Sequence, residues 1–342
     1  MADWYVDPNA AGENNGTTWG NAYTSLQAAE TAKNANITGA GPITFHCKSS
    51  AGSADVKTIF TGWTTTADDY ILVQGGYAAG ETGTPGTPLY PGKYSTSYYH
   101  VEAIDTDSNV YVQEDYVRVD KILSKAIVTT TGYAFRAAGI NATNNDLRFS
   151  DCIAVGVCSG TGIGRGFYDA DPDSILTFVN CIAYGFYIAA DLGFGGYQLY
   201  GATIDLYNCL AYGNTFGIQI GAGTATCYNC VSFNNENDFV GTVTLYECAS
   251  DDNDAENHAG NEVDATWSTD FLDAANGDFT LLVGSPLIGG GDTGLAYGGT
   301  SINGVARGVA WDIGPWEYVA AGGLSIPVAK HVRSLSPNFH VY

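Results

Sequence analysis

One short motif with a fixed cysteine returns along the middle of the chain, and it limits what the chain can fold into. Phe149-Ser150-Asp151-Cys152-Ile153-Ala154 comes back as Phe178-Val179-Asn180-Cys181-Ile182-Ala183 and as Leu206-Tyr207-Asn208-Cys209-Leu210-Ala211. Looser copies are Cys227-Tyr228-Asn229-Cys230-Val231-Ser232 and Leu245-Tyr246-Glu247-Cys248-Ala249-Ser250, while Val119-Asp120-Lys121-Ile122-Leu123-Ser124 fits the frame with Ile at the Cys position. The cysteine recurs after 29, 28, 21 and 18 residues. A period of 20–30 residues with one β-rich unit each means a solenoid. The regular leucine frame of leucine-rich repeats is absent. A constant strand with connections of variable length fits a parallel β-helix, in which each coil rises by one strand spacing of about 4.8 Å.

The residue before each cysteine is Asn or Asp in four of these copies. A bend between two strands needs a residue that tolerates the left-handed region, which Asn does best after Gly. Stacked Asn side chains can then hydrogen-bond along the ladder. Past the bend the alternation is interrupted, so either the Cys or the following Ile can face inward; Cys and Ala, both small, are the expected inward pair. Composition agrees with this fold. Charged residues are only 14% of the 342, and the polar share falls on turn and strand formers, with 44 Gly and 23 Tyr.

The expected fold class is therefore all-β, a single right-handed parallel β-helix with an N-terminal capping helix and a C-terminal cap. Residues 1–40 read as an N-terminal strand and capping helix, with Thr24 or Ser25 as the N-cap of the helical stretch from Tyr23 to Ala32. Residues 41–255 read as coils, 256–320 as the last coils and C-terminal cap, and 321–342 as a linker and basic tail.

Two stretches carry a family likeness. Trp4-Tyr5-Val6-Asp7-Pro8-Asn9, Gly16-Thr17-Thr18-Trp19 and the run from Asn21 to Ala29 resemble the opening of many pectate-lyase-like β-helix proteins. Asp278-Phe279-Thr280-Leu281, Gly284-Ser285-Pro286-Leu287-Ile288, Gly304, Arg307 and the run from Asp312 to Tyr318 resemble their C-terminal end, with Asn303 where Asp is more usual. The resemblance covers about residues 3–320 and implies fold more than activity; it makes Arg307, Asp312 and Glu317 a structural charge cluster. The tail Ser325-Ile326-Pro327-Val328-Ala329-Lys330-His331 is similar to the short ends of β-helix proteins encoded among bacteriophage structural genes.

Candidate chemistry is spread thinly. Cys152, Cys181, Cys209, Cys230 and Cys248 share one repeat position and read as a structural ladder of buried free thiols. Cys227 and Cys230 have zinc-knuckle spacing but no second matching pair. Asp169, Asp171 and Asp173 are spaced like the start of a calcium-binding loop, with Ser174 at the sixth position instead of Gly and Asn180 at the twelfth instead of Glu. A solvated acidic loop is the expected reading, no cofactor is expected, and calcium is the alternative. A glycosidase needs two carboxylates facing one another across a groove, for which Asp169, Asp171, Asp173 and Asp191 are the candidates, with Asp205 nearby in sequence. A lyase of this resemblance needs a basic proton abstractor, for which Lys121, Lys125, Arg148 and Arg165 are available. Tyr184, Tyr187, Tyr197, Tyr200, Tyr207 and Tyr212 crowd the central coils; a space-filling aromatic ladder is the expected reading, and stacking on sugar rings the alternative.

The charge of −23, with 36 acidic residues against 13 basic, repels phosphate backbones, so nucleic acid is not an expected partner. No run approaches a membrane span, so no membrane partner is expected. Met1-Ala2-Asp3-Trp4 leads straight into a strand-like segment without a basic or apolar leader, which reads as a chain without a signal peptide, folded in the cytoplasm of the cell that makes it. Together these features give the leading functional expectation: a structural protein of a bacteriophage virion surface, a β-helical spike, fibre or capsid decoration assembled in the host cytoplasm. Its partners would be other virion proteins, sister chains in a homo-oligomer with a trimer favoured, and glycans, with Lys330, His331 and Arg333 of the tail as the attachment residues. The alternatives are a polysaccharide lyase or glycoside hydrolase, and a non-catalytic carbohydrate-binding module.

Overall fold

A computed structural model describes residues 2–83, 85, 90, 92–105, 107–138, 146–159, 161–188, 194–252, 254, 261–263 and 266–320. Among these residues three parallel sheets of nine, eight and seven strands run the length of the molecule. The first sheet orders its strands Ala2–Val6, Ile43–Cys47, Ile71–Gln74, Val117–Asp120, Asp146–Ser150, Ile175–Val179, Thr203–Tyr207, Thr224–Tyr228 and Val243–Tyr246. The second runs from His100–Ile104 to Glu262–Val263 and the third from Thr58–Phe60 to Asn237–Val240. In the central coils the chain visits the first, second and third sheets in turn before rising one spacing. The chain is a right-handed parallel β-helix.

The repeat motif marks the corner between the first and second sheets. Lys121, Asp151, Asn180, Asn208, Asn229 and Glu247 occupy it in successive coils, with φ between 46° and 55°. A side chain that tolerates the left-handed region lets the chain turn there. The expected side-chain ladder forms: Asn180 Nδ2 donates to Asp151 Oδ1 at 2.8 Å, and Asn229 Nδ2 to Asn208 Oδ1 at 3.1 Å. Directly after the corner, Ile122, Cys152, Cys181, Cys209, Cys230 and Cys248 point inward with no solvent exposure. Ala154, Ala183 and Ala211 are inward as well, as their size predicts. All eight cysteines are free, Cys227 and Cys230 both buried in the core.

Aromatic ladders fill the rest of the interior. Phe149 stacks on Phe178 with ring centres 5.3 Å apart, and Phe167 lies between Phe135 and Tyr197 at 4.9 Å from each. The N-terminal helix, Leu26–Lys33, is capped by Ser25, whose hydroxyl accepts from Ala28 N at 3.1 Å. Leu26 and Ala29 close the core, and Gln27 Oε1 accepts from Ile59 N at 2.8 Å on the open edge of the third sheet. An edge strand covered in this way is no template for another chain.

The C-terminal segment caps the flank of the solenoid. Leu123, Ile153, Ile182, Leu210 and Val231 face outward from the second sheet yet are buried, because Phe271, Phe279, Leu287, Ile302, Ile313 and Trp316 pack over them. Arg307 ties this segment to itself, reaching Asp312 O at 3.0 Å, Gly314 O at 2.6 Å and Glu317 Oε2 at 3.2 Å. The corner ladder fastens it to the coils: Asn180 Nδ2 donates to Thr300 O and Asn229 Nδ2 to Asp292 O. No helix among the described residues is long and apolar enough to cross a membrane.

Candidate functional site

Strand alternation places one residue in two on the outer face of the first sheet, where loops leave it open. Leu72 and Gln74, then Arg118 and Asp120, then Asp146, Arg148 and Ser150 stand outward on three adjoining coils. All but Asp146, together with Tyr70 and Val119, border a cleft of about 350 Å³. Arg118 and Arg148 are direct register partners, and like charges in that relation repel. Asp146 lies with them: its Oδ2 is 2.6 Å from Arg118 Nη2 and 4.0 Å from Arg148 Nη2. Arg118 also donates to Asp146 O at 2.5 Å.

Burial pulls the pKa of Arg118 below its ordinary value, with Asp146 opposing and Arg148 adding to the shift. Aromatic rings wall the two guanidinium groups, Tyr70 with its centre 5.4 Å from Arg118 and Tyr297 at 4.6 Å from Arg148. Arg148 Nε has no hydrogen-bond partner among the described residues. Among the described residues two guanidinium groups thus share one carboxylate, while the neighbouring Lys121 stands between two, so the named charges balance. Lys121 Nζ sits 2.5 Å from Asp151 Oδ2 and 3.3 Å from Asp120 Oδ1, and Gln74 Nε2 donates to Asp120 Oδ2 at 3.0 Å. Burial opposes the charge on Lys121, but Asp151 and Asp120 outweigh it and raise its pKa, so its ammonium is no proton abstractor.

Farther along the same face runs a stack of three tyrosines. Tyr207, Tyr228 and Tyr246 lie ring over ring at 5.0 and 5.2 Å, nearly parallel, and Tyr297 meets Tyr207 edge-on at 5.3 Å. Asp205 stands beside them, its pKa raised by burial. Tyr297 therefore joins the arginine cleft to the tyrosine stack.

Of the residues expected from sequence, Arg148 lines the cleft, Lys121 adjoins it, and Asp205 and Tyr207 belong to the tyrosine stack; the others lie elsewhere. Asp169 ends a third-sheet strand with no exposure; its Oδ1 accepts from Ser174 Oγ at 3.0 Å and Asp171 N at 3.3 Å. Burial pushes its pKa up to about 7. Asp173 N donates in turn to Asp171 Oδ1 at 3.0 Å. These carboxylates cap successive turns of a loop while Asp169 points inward, so they do not converge as calcium ligands. No three His, Cys, Asp or Glu side chains among the described residues form a metal-binding group. Nor does Asp169 face Asp205, which is on the first sheet, so no glycosidase pair forms between them. Asp191 and the tail residues Lys330, His331 and Arg333 fall outside the described residues.

Tyr184, Tyr187, Tyr197 and Tyr200 occupy four environments instead of one platform. Tyr197 is a correction: it is wholly buried, stacked on Phe167, and donates its hydroxyl to Cys181 O at 2.7 Å. Tyr184 is covered by Phe279, with ring centres 5.5 Å apart. Tyr200 packs edge-on to Tyr168 at 6.5 Å, and only Tyr187 is well exposed, beside Gly213, Asn234, Asn235 and Glu236. The tyrosine stack had a sequence signal, since Tyr207, Tyr228 and Tyr246 each stand just before a corner residue. Arg118 and Arg148 had one too, separated by the same 30 residues as Ile122 and Cys152.

The sequence matches no family profile and no curated protein. Among solved structures it is similar to the crystal structure of a pectate lyase, Pel9A. That likeness has a TM-score of 0.44 and 16% identity, covering 93% of this chain and 97% of the other. The cleft is read from its own residues.

Proposed function

We propose that the chain is a glycan-recognising β-helix whose first-sheet cleft holds an anionic sugar. The observation that carries this reading is the Arg118 and Arg148 pair, walled by Tyr70 and Tyr297, with Asp146 as the one carboxylate paired to it. A guanidinium edge pairs with a carboxylate through two parallel hydrogen bonds, and tyrosine rings take the apolar faces of sugars. Recognition without turnover is favoured because the bases at hand stay charged: Lys121 is held between two carboxylates, and the guanidinium groups of Arg118 and Arg148 keep their protons.

Titration calorimetry with a defined oligouronate tests the reading. Arg148→Gln should weaken binding about tenfold, the loss of roughly one charge-assisted hydrogen bond. Wild-type affinity in that variant would remove the cleft from the account. Release of unsaturated products by the intact protein would instead make it a lyase.

The finer reading places this β-helix on the surface of a bacteriophage virion, joined to sister chains through the basic tail. Its support is the likeness of Ser325–His331 to the ends of virion-associated β-helix proteins. Light scattering on the full chain should then give a trimer or larger assembly that dissociates when the chain ends at residue 320. A full-length monomer would sink the tail's role.

A further inference from the structure

We propose that the outer face of the third sheet is a second, separate binding site for an oxyanion-bearing glycan, one whose sugars carry carboxylate or sulfate groups. In the strand Thr131–Ala137 and the strand Ile163–Asp169, arginine and tyrosine alternate as on a chequerboard. Arg165 is the register partner of Tyr133, and Tyr168 that of Arg136, which in turn pairs with Tyr111 of the strand Val110–Val112. The Tyr133 and Tyr168 rings lie 4.7 Å apart. The Arg165 guanidinium sits 4.2 Å from the Tyr168 ring and 5.2 Å from that of Tyr133, and Arg136 lies 4.5 Å from Tyr111.

Stacking of this kind satisfies the flat face of a guanidinium and leaves its edge, where the five N–H donors lie, for another partner. Arg136 directs Nη1 to Asp107 Oδ2 at 2.6 Å. Arg165 has no carboxylate within 4.0 Å among the described residues and makes one long contact, from Nη1 to the Tyr133 hydroxyl at 3.3 Å. The Nε atoms of both arginines are buried without a partner, as is Gln219 Oε1 farther along the same sheet.

Among the described residues of this acidic chain, none places a carboxylate beside Arg165. Charge complementarity therefore selects an anionic occupant, and the interleaved tyrosines select one with apolar ring faces. This site and the first-sheet cleft lie on different sheets, so one can fail without the other.

The test is titration of the full-length protein at low and high salt with three probes: an oligouronate, a sulfated oligosaccharide and a neutral maltooligosaccharide. Two binding events are expected for at least one anionic probe, weakened by salt and absent with the neutral probe. Arg165→Gln should remove one event or weaken it about tenfold and leave the other unchanged, whereas Arg148→Gln should do the converse. In the wild-type protein, the Nε–H resonance of Arg165 should shift on addition of the anionic probe. That measurement holds even if Arg165→Gln fails to fold. An unmoved Arg165 resonance, unaltered binding by a folded Arg165→Gln, or equal binding of the neutral probe would each overturn the proposal. A loss of effect in Arg148→Gln alone would overturn only the reading of the first-sheet cleft.

Discussion

Each corner of this solenoid is decided by one residue that must both bend the backbone and join a ladder. Asn180 does both: its φ is 52°, and its Nδ2 reaches Asp151 Oδ1 and Thr300 O, each at 2.8 Å. Alanine there would meet the cost of a left-handed backbone, about 1–2 kcal/mol, and would lose two hydrogen bonds of roughly 1 kcal/mol each. Asn180→Ala should therefore lower stability by about 3–4 kcal/mol in urea denaturation. Asn180→Gly loses the same bonds without the steric cost and should lie about 1 kcal/mol above the alanine variant. Equal stabilities would mean that backbone conformation is not what asparagine supplies. Lys121 shows the alternative solution, a long side chain at φ 55° held by two carboxylates.

Among the stacked elements, stability concentrates where ladders from different sheets meet. Phe167 touches four other rings, Phe135, Phe149, Phe178 and Tyr197, at centre distances from 4.9 to 5.9 Å. Phe167→Ala should lower stability by about 3–5 kcal/mol, as large cavities in aromatic cores do. Tyr246→Ala, at the solvent-exposed end of the outer stack, should lower it by less than about 1 kcal/mol. Comparable losses for the two, measured by the same denaturant midpoint, would contradict this placement of the core. The corner and the inward cysteine were legible in the sequence because they recur in one frame. The third sheet was not, because connections of unequal length break the frame before that sheet begins. Tyr197 was misplaced for a local reason: in the preceding coil both Gly166 and Phe167 turn inward, and a Cβ on Gly166 would meet Ala154 and Ala183. Simple alternation fails across such a bend. The outward apolar row from Leu123 to Val231 is likewise legible as a repeat, yet its burial depends on a segment some 40 to 190 residues later in the chain. The arginines of both proposed sites were visible, but only register could group Arg118 with Arg148 or Arg165 with Tyr133.

For the whole molecule, buried carboxylates set how stability responds to pH. Burial pushes the pKa values of Asp169 and Glu114 up to about 7. Asp151 rises to about 6, with Lys121 opposing, and Asp238 is raised by burial and its contact with Asp251. In an unfolded chain such groups titrate near 4. The folded state therefore binds these protons more tightly, and the stability they contribute is full below about pH 4 and is lost as pH rises through 6 to 7. A net charge of −23 adds repulsion of the same sign as deprotonation proceeds. Other groups run the other way, among them His46, Asp69, Asp105 and Asp278. Burial lowers the pKa of His46, so its contribution fades as pH falls below about 6.5, and hydrogen bonds from Gly39 and Gly41 depress Asp69, whose contribution fades below about pH 4. The balance places maximum stability near pH 5, with the thermal midpoint falling by roughly 5–10 °C between pH 5 and 8 if the buried acids together contribute a few kcal/mol. Scanning calorimetry across that range checks the sign directly. Asp169→Asn, which cannot ionise, should flatten the slope relative to wild type. A midpoint that climbs with pH in the wild-type protein would mean that these acids are ionised and satisfied when folded, and that burial is not what governs them.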